Sequence, residues 1–190
     1  MTIFLDLAGS LVVRASMIAV MLGLTVTMNN ALYETTQQVT TKATVAAVSD
    51  VIYQDLSRAT GGGFDAANGA TIGVTRMSFW VFTDSTMTDS IKVTYDAGQI
   101  ASATGLHKLY RYENNGSGLL IASNLTVNNT GKFEPFAFFS SKGVRVWVVP
   151  DSVDAIRVTL YAKIHYDDVE NVEHPFKYAL TDFKVFPPNI

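Results

Sequence analysis

Residues 1–59 read MTIFLDLAGSLVVRASMIAVMLGLTVTMNNALYETTQQVTTKATVAAVSDVIYQDLSRA, and Gly61, Gly62 and Gly63 come almost at once after them. No proline occurs in this stretch, and only Gly9 and Gly23 interrupt a run otherwise compatible with one α-helix. A continuous helix of this length would be about 87 Å long at roughly 1.5 Å per residue. That far exceeds an average globular helix, so packing one small domain does not explain it.

The character of the stretch changes along its length. From Ile3 to Leu32 it is apolar nearly all round, with Phe4, Leu5, Leu7, Leu11, Val12, Val13, Met17, Ile18, Val20, Met21, Leu22, Leu24, Val26 and Met28. A helix hydrophobic on every face must be covered on every face, by lipid or by other protein. Ala15 to Tyr33 carries no charge, over about the length that spans a bilayer. Further on, Val45, Val48, Ile52 and Leu56 recur at helical spacing, while Gln37, Gln38, Lys42, Asp50, Gln54, Asp55 and Arg58 are assigned to other faces. The helix thus divides into an apolar segment, 1–32, and an amphipathic half, 33–60, with one side for a partner sheet.

Asp6 and Arg14 are the charges inside the apolar half, where an ionised group must be paired or kept near an interface. They stand about 12 Å apart along the axis and do not meet within one helix. Two readings stay open. In one, Asp6 marks the membrane edge and Arg14 snorkels to the headgroups. In the other, the two pair between parallel helices staggered by that distance.

At 190 residues, 48% hydrophobic, the chain has room for one domain plus the helix. The net charge of −3 is mild, and no basic run argues for nucleic acid. There are no cysteines, which excludes disulfides and thiol catalysis without settling the compartment. No basic region precedes Ile3, and the apolar run continues into a helix, so the N-terminus is expected to be a retained anchor rather than a conventional secretory signal, with the mature end of a processed precursor as the alternative.

Residues 61–190 read as β-structure. GGGFDAANGATIG is a glycine-rich connection that cannot continue a helix. Met77 to Phe82 is strongly β-prone, and Ile91, Val93 and Tyr95 alternate with Lys92, Thr94 and Asp96. HKLYRYE (107–113) runs into Asn114, Asn115 and Gly116, a turn signal, and Leu119 to Ile121 resume beyond it, predicting a hairpin. Phe133, Phe136, Phe138 and Phe139 form an aromatic cluster, of which two are expected in the core and two at a contact between subunits. Val144, Val146 and Val148 alternate with Arg145 and Trp147. The longest predicted strand is Ala155–Tyr166, and the last is Phe176–Phe186, stopped by Pro187 and Pro188. Helix first and antiparallel strands after is an α+β arrangement, in which Val45, Val48, Ile52 and Leu56 are expected to pack on the sheet.

A very long N-terminal helix with an apolar first half, joined to an antiparallel sheet, resembles type IV pilins and pseudopilins. DVIYQDLSRAT (50–60) looks like the helix end of the larger, J-type and W-type minor pilins. The order of the later segments is similar to theirs too: LYRY (109–112), FEPFAFFSSKG (133–143) and VDAIRVTLYAKIHY (153–166). The family's basic leader, glycine cleavage site and glutamate at the fifth mature position are not matched. Position five is Leu5, and Asp6 is the nearest acid to take that glutamate's part, neutralising an amino terminus or a neighbour's cation. The cysteine pair of many pilins is also absent.

The resemblance implies a filament: apolar helix halves leave inner-membrane lipid, bundle into a core of copies and carry the β-domains outward, handled by an assembly machinery. Met1, Phe4, Asp6, Leu11, Arg14, Ile18 and Leu22 are then the expected core interface. Small residues Ala8, Gly9, Ser10, Ala15, Ser16, Ala19 and Gly23 would let helices approach closely. The expected place is the cell surface, with a membrane-embedded pool before assembly. The alternatives are a single-span anchor for a β-domain binding module, or a minor pseudopilin of a secretion system.

Catalytic signals are weak, and neither an enzyme nor a cofactor is expected. There is no phosphate loop and no HExxH motif. His107, His165 and His174 lie far apart and read as strand or surface residues. Asp167, Asp168, Glu170, Glu173 and His174 read as a charged turn more readily than as a cation site. Asn115, Asn124 and Asn128 each open an Asn-x-Ser/Thr triplet, consistent with an outward surface.

Overall fold

The computed structural model describes residues 2–60, 71–83, 88–101, 105–128, 131–140, 142–146, 153–164 and 178–186, without the side chains of residues 2–6, 71, 178 and 179. Residues 61–70, Trp147 and Val148, His165 and Tyr166, the acidic group from Asp167 to His174, and Pro187 and Pro188 lie outside the described residues. The chain falls into two compact units, Met1–Val39 and Thr40–Ile190.

The proline-free stretch forms one helix, α1 (Thr2–Ser57). Its last N–H groups tighten the end: Arg58 donates to the carbonyls of Gln54 and Asp55, both at 3.2 Å. The chain then turns extended rather than capping on glycine. Thr60 N–H donates to Trp80 O at 2.9 Å and Phe82 N–H to Arg58 O at 3.0 Å, with Ala59 opposite Val81. The helix therefore ends by joining the sheet.

Nine strands make up that sheet among the described residues: β1 (Thr71–Ile72), β2 (Arg76–Phe82), β3 (Ser90–Ile100), β4 (His107–Glu113), β5 (Leu119–Leu125), β6 (Phe136–Phe139), β7 (Arg145–Val146), β8 (Ala155–Lys163) and β9 (Tyr178–Val185). All pairings are antiparallel, and β1 to β5 form a meander. β8 is the hub. One of its edges is taken by β9 over its length, while the other is shared by β6 at its start and β5 near its end. Phe136 N–H reaches Val74 O at 3.2 Å, so the sheet curls until β6 meets the β1–β2 connection.

The fold is α+β, with the second half of α1 packed on the antiparallel sheet. Val45, Val48, Ile52, Leu56 and Ala59 share one buried cluster with Phe79, Tyr95, Leu109, Phe136 and Ile156. In β8, Ile156, Val158, Leu160 and Ala162 are buried, while Arg157, Thr159, Tyr161 and Lys163 face the other side. The period-2 pattern there is a direct consequence of one buried and one wet face.

Several elements differ from the sequence reading. β1 lies inside the stretch read as a connection, because β-branched Thr71 and Ile72 fold back to pair with Ser78 and Met77. β3 is covered on both faces at its centre, where Thr94 is buried along with Val93 and Tyr95. The aromatic cluster contains β6, and two of its four rings lie in the core as expected. Phe136 and Phe138 enter the core, Phe133 is stacked under His107 at 3.5 Å between ring centres, and Phe139 lies 5.2 Å from the Lys184 ammonium. Asp55, assigned to an outer face, is buried. An acid is tolerated there because the sheet brings a phenol and a guanidinium to it.

Candidate assembly surface and helix–sheet lock

From Leu7 to Tyr33 the large apolar side chains of α1 are exposed, with Leu11 at 65%, Ile18 at 59% and Leu22 at 62% of their full area. No other described residue covers them. At 3.6 residues per turn, Leu11, Arg14, Ile18 and Leu22 fall within an arc of about 80°, so four of the expected interface residues share one face. Met1 lies outside the described residues, and so do the side chains of Phe4 and Asp6.

The hydroxyls in this segment do not make it polar. Ser16 donates to Val12 O at 2.8 Å, Thr25 to Met21 O at 2.8 Å, Thr27 to Gly23 O at 2.9 Å and Thr36 to Leu32 O at 2.8 Å. Each bond runs one turn back and satisfies the side chain within the helix itself. With the hydroxyls answered, the surface accepts an apolar environment. α1 is long and apolar enough to cross a membrane.

The other end of α1 is held by charge. Asp55 continues the rhythm of Val45, Val48 and Ile52 and so points into the core. There Tyr95 Oη donates to its Oδ2 at 2.5 Å. Arg111 reaches the same carboxylate with Nε at 2.7 Å and Nη2 at 3.3 Å, and its Nη1 pairs with Glu113. Burial, reinforced by the charge of Asp55, raises the Tyr95 hydroxyl well above its ordinary value. Burial alone would lower the Arg111 guanidinium, but its hydrogen bonds to Asp55 and Glu113 outweigh that and raise it. The group thus gathers a phenol and a guanidinium, each raised, on one shared carboxylate that ties α1 to β3 and β4. The signal was present in the sequence: an acid at a position where the 3–4 spacing demands an apolar side chain.

The β-domain carries a cleft of about 230 Å³, lined by Lys132, Glu134, Phe139, Arg145, Arg157 and Tyr161 among others. Arg145 pairs with Glu134 at 2.8 Å, and Arg157 with Asp182 in a bidentate contact. That contact, above all the hydrogen bond from Arg157, lowers the Asp182 carboxyl. His107 sits in β4 with Nδ1 buried and without a hydrogen-bond partner, and burial lowers its pKa from 6.5 against an opposing contact with the Ala97 backbone. His165 and His174 lie outside the described residues, as does the acidic group beside them. Among the described residues, no group of three or more His, Asp or Glu is arranged to hold a metal ion.

No family model, curated protein or solved structure matches this chain. Its own geometry is a long apolar N-terminal helix whose second half packs on an antiparallel sheet. The architecture is pilin-like. Its two marked features are the bare apolar surface at one end of α1 and the Asp55 contacts at the other.

Proposed function

We propose that this chain is a structural subunit of a type IV pilus-like extracellular filament, polymerising through its apolar N-terminal helix with the β-domain outward. One observation carries the reading: from Leu7 to Leu32, α1 is exposed all round and, apart from Arg14, Asn29 and Asn30, apolar, with the hydroxyls of Ser16, Thr25 and Thr27 bonded internally. Such a surface gains about 25 cal/mol for each Å² removed from water, so it is stable only in lipid or against copies of itself. Lipid serves before assembly, and neighbouring helices serve afterwards. A single heterologous contact repeated around an axis yields an open helical polymer. Arg14 then needs an acid of a neighbouring copy, and Asp6 has the axial offset to supply it.

The uncharged run from Ala15 to Tyr33 matches a bilayer span and favours a second reading, a single-span anchor for the β-domain. A minor pseudopilin of a secretion system is a variant of the first. Gly23→Leu separates polymer from anchor. A Cβ on Gly23 meets nothing within 4 Å in this chain, so the monomer accepts the larger side chain. The anchor reading predicts unchanged membrane residence and unchanged behaviour. The filament reading predicts at least a roughly tenfold loss of sheared polymer with the β-domain still folded, because helices can no longer approach at that position. Polymer yield equal to wild type would remove helix packing at Gly23 from the account.

A further inference from the structure

Three Asn-x-Ser/Thr triplets open in the β4–β5 turn, in β5 and just after β5, and the fold does not treat them alike. Asn124 lies within β5, half-buried, and its Nδ2 donates to Lys163 O at 3.4 Å. Asn128 closes a loop, its Oδ1 accepting Lys132 N–H at 2.9 Å. Asn115 instead stands at the tip of the β4–β5 hairpin, exposed, with Gly116 and Ser117 exposed beside it. Asn114 and Asn115 hold φ of 46° and 58°, and Gly116 N–H closes the turn on Glu113 O at 2.7 Å. This left-handed pair is a tight hairpin turn: Asn114 Oδ1 turns back to accept Lys92 N–H at 2.9 Å, and Asn115 stands exposed at the tip. From Gly116 to Gly118 no regular structure succeeds the turn, so this acceptor segment stands open where that of Asn124 belongs to a strand.

We propose that Asn115 is an N-glycan acceptor, chosen over Asn124 and Asn128 by the hairpin. The donor is an oligosaccharide linked through pyrophosphate to a lipid. Nδ2 of Asn115 attacks the anomeric carbon, a C–N bond forms and the C–O bond to the pyrophosphate breaks. The lipid pyrophosphate leaves with the electron pair, and the Nδ2 proton passes to a base of the transferase. The proposal rests on export of the β-domain, which the filament and anchor readings share.

The test is glycopeptide mapping by mass spectrometry of the full chain recovered from its producing cells, as wild type and as Asn115→Gln. The expected result is a glycan on Asn115 at more than roughly tenfold the occupancy of Asn124 or Asn128, with the mass increment lost in Asn115→Gln. A bare or merely deamidated Asn115, or equal occupancy at Asn124, overturns it. Microscopy of the same material keeps the two proposals apart. Filaments bare at Asn115 sink the acceptor alone, and a glycan on a chain confined to the membrane sinks the filament alone.

Discussion

Asp55 is an acid in a position that packing reserves for an apolar side chain, and two partners make it stable there. Removing it leaves the Arg111 guanidinium, 16% exposed at its side chain, and the Tyr95 hydroxyl without their shared acceptor. Breaking a buried pair from one side costs about 3–5 kcal/mol. Asp55→Ala is therefore expected to lower the unfolding free energy by that amount in a denaturant titration, and a loss under about 1 kcal/mol would show the lock to be incidental. His107 gives a pH test. Its folded pKa lies below the unfolded 6.5, so the neutral ring is favoured in the fold. Above 6.5 nothing is lost. As the pH falls below 6.5 the unfolded chain takes up the proton first, and stability declines until the lowered folded value is reached. His107→Phe, which keeps a ring against Phe133, is expected to flatten the stability profile below pH 6.5, and parallel profiles would clear His107 of this role. Neither residue was legible from polarity, which sends Asp55 outward and gives His107 no stacking partner. The partners, Tyr95 and Phe133, lie 40 and 26 positions away (133 − 107 for the second), beyond the reach of any local pattern.

At the scale of elements, legibility tracked the length of each pattern. β8 was readable because it repeats one rhythm against one boundary between wet and dry, and α1 because a long proline-free run ends in a buried stripe at helical spacing. β1 and β7, two residues each, exist only because a neighbouring strand offers its edge. The centre of β3 defied alternation because both of its faces are covered. The buried stripe of α1 is tested by comparison within one turn. Ile52 is fully buried and Val51 is 39% exposed. Ile52→Ala is expected to cost about 2–5 kcal/mol of unfolding free energy, and Val51→Ala less than about 0.5 kcal/mol. Equal losses would contradict the packing of α1 on the sheet.

The whole molecule joins a β-domain with its own buried core to a helical segment whose apolar side chains stand bare. The first is stabilised by the cluster from Val45 to Val185, and the second has no such cluster among the described residues. A protein with an uncovered apolar surface of this extent needs another phase or another copy. The fold class was legible for that reason, since a change of environment along one helix is written in its composition. The polymer was expected from the same residues and awaits its own observation. The most direct one is cryo-electron microscopy of material sheared from the surface of the producing cells. The expected result is filaments containing this chain, with a dense core of parallel helices in which Leu11, Arg14, Ile18 and Leu22 are buried and β-domains lie outside. Recovery of the whole chain as monomers in the membrane fraction, with no filament that contains it, would contradict the polymer.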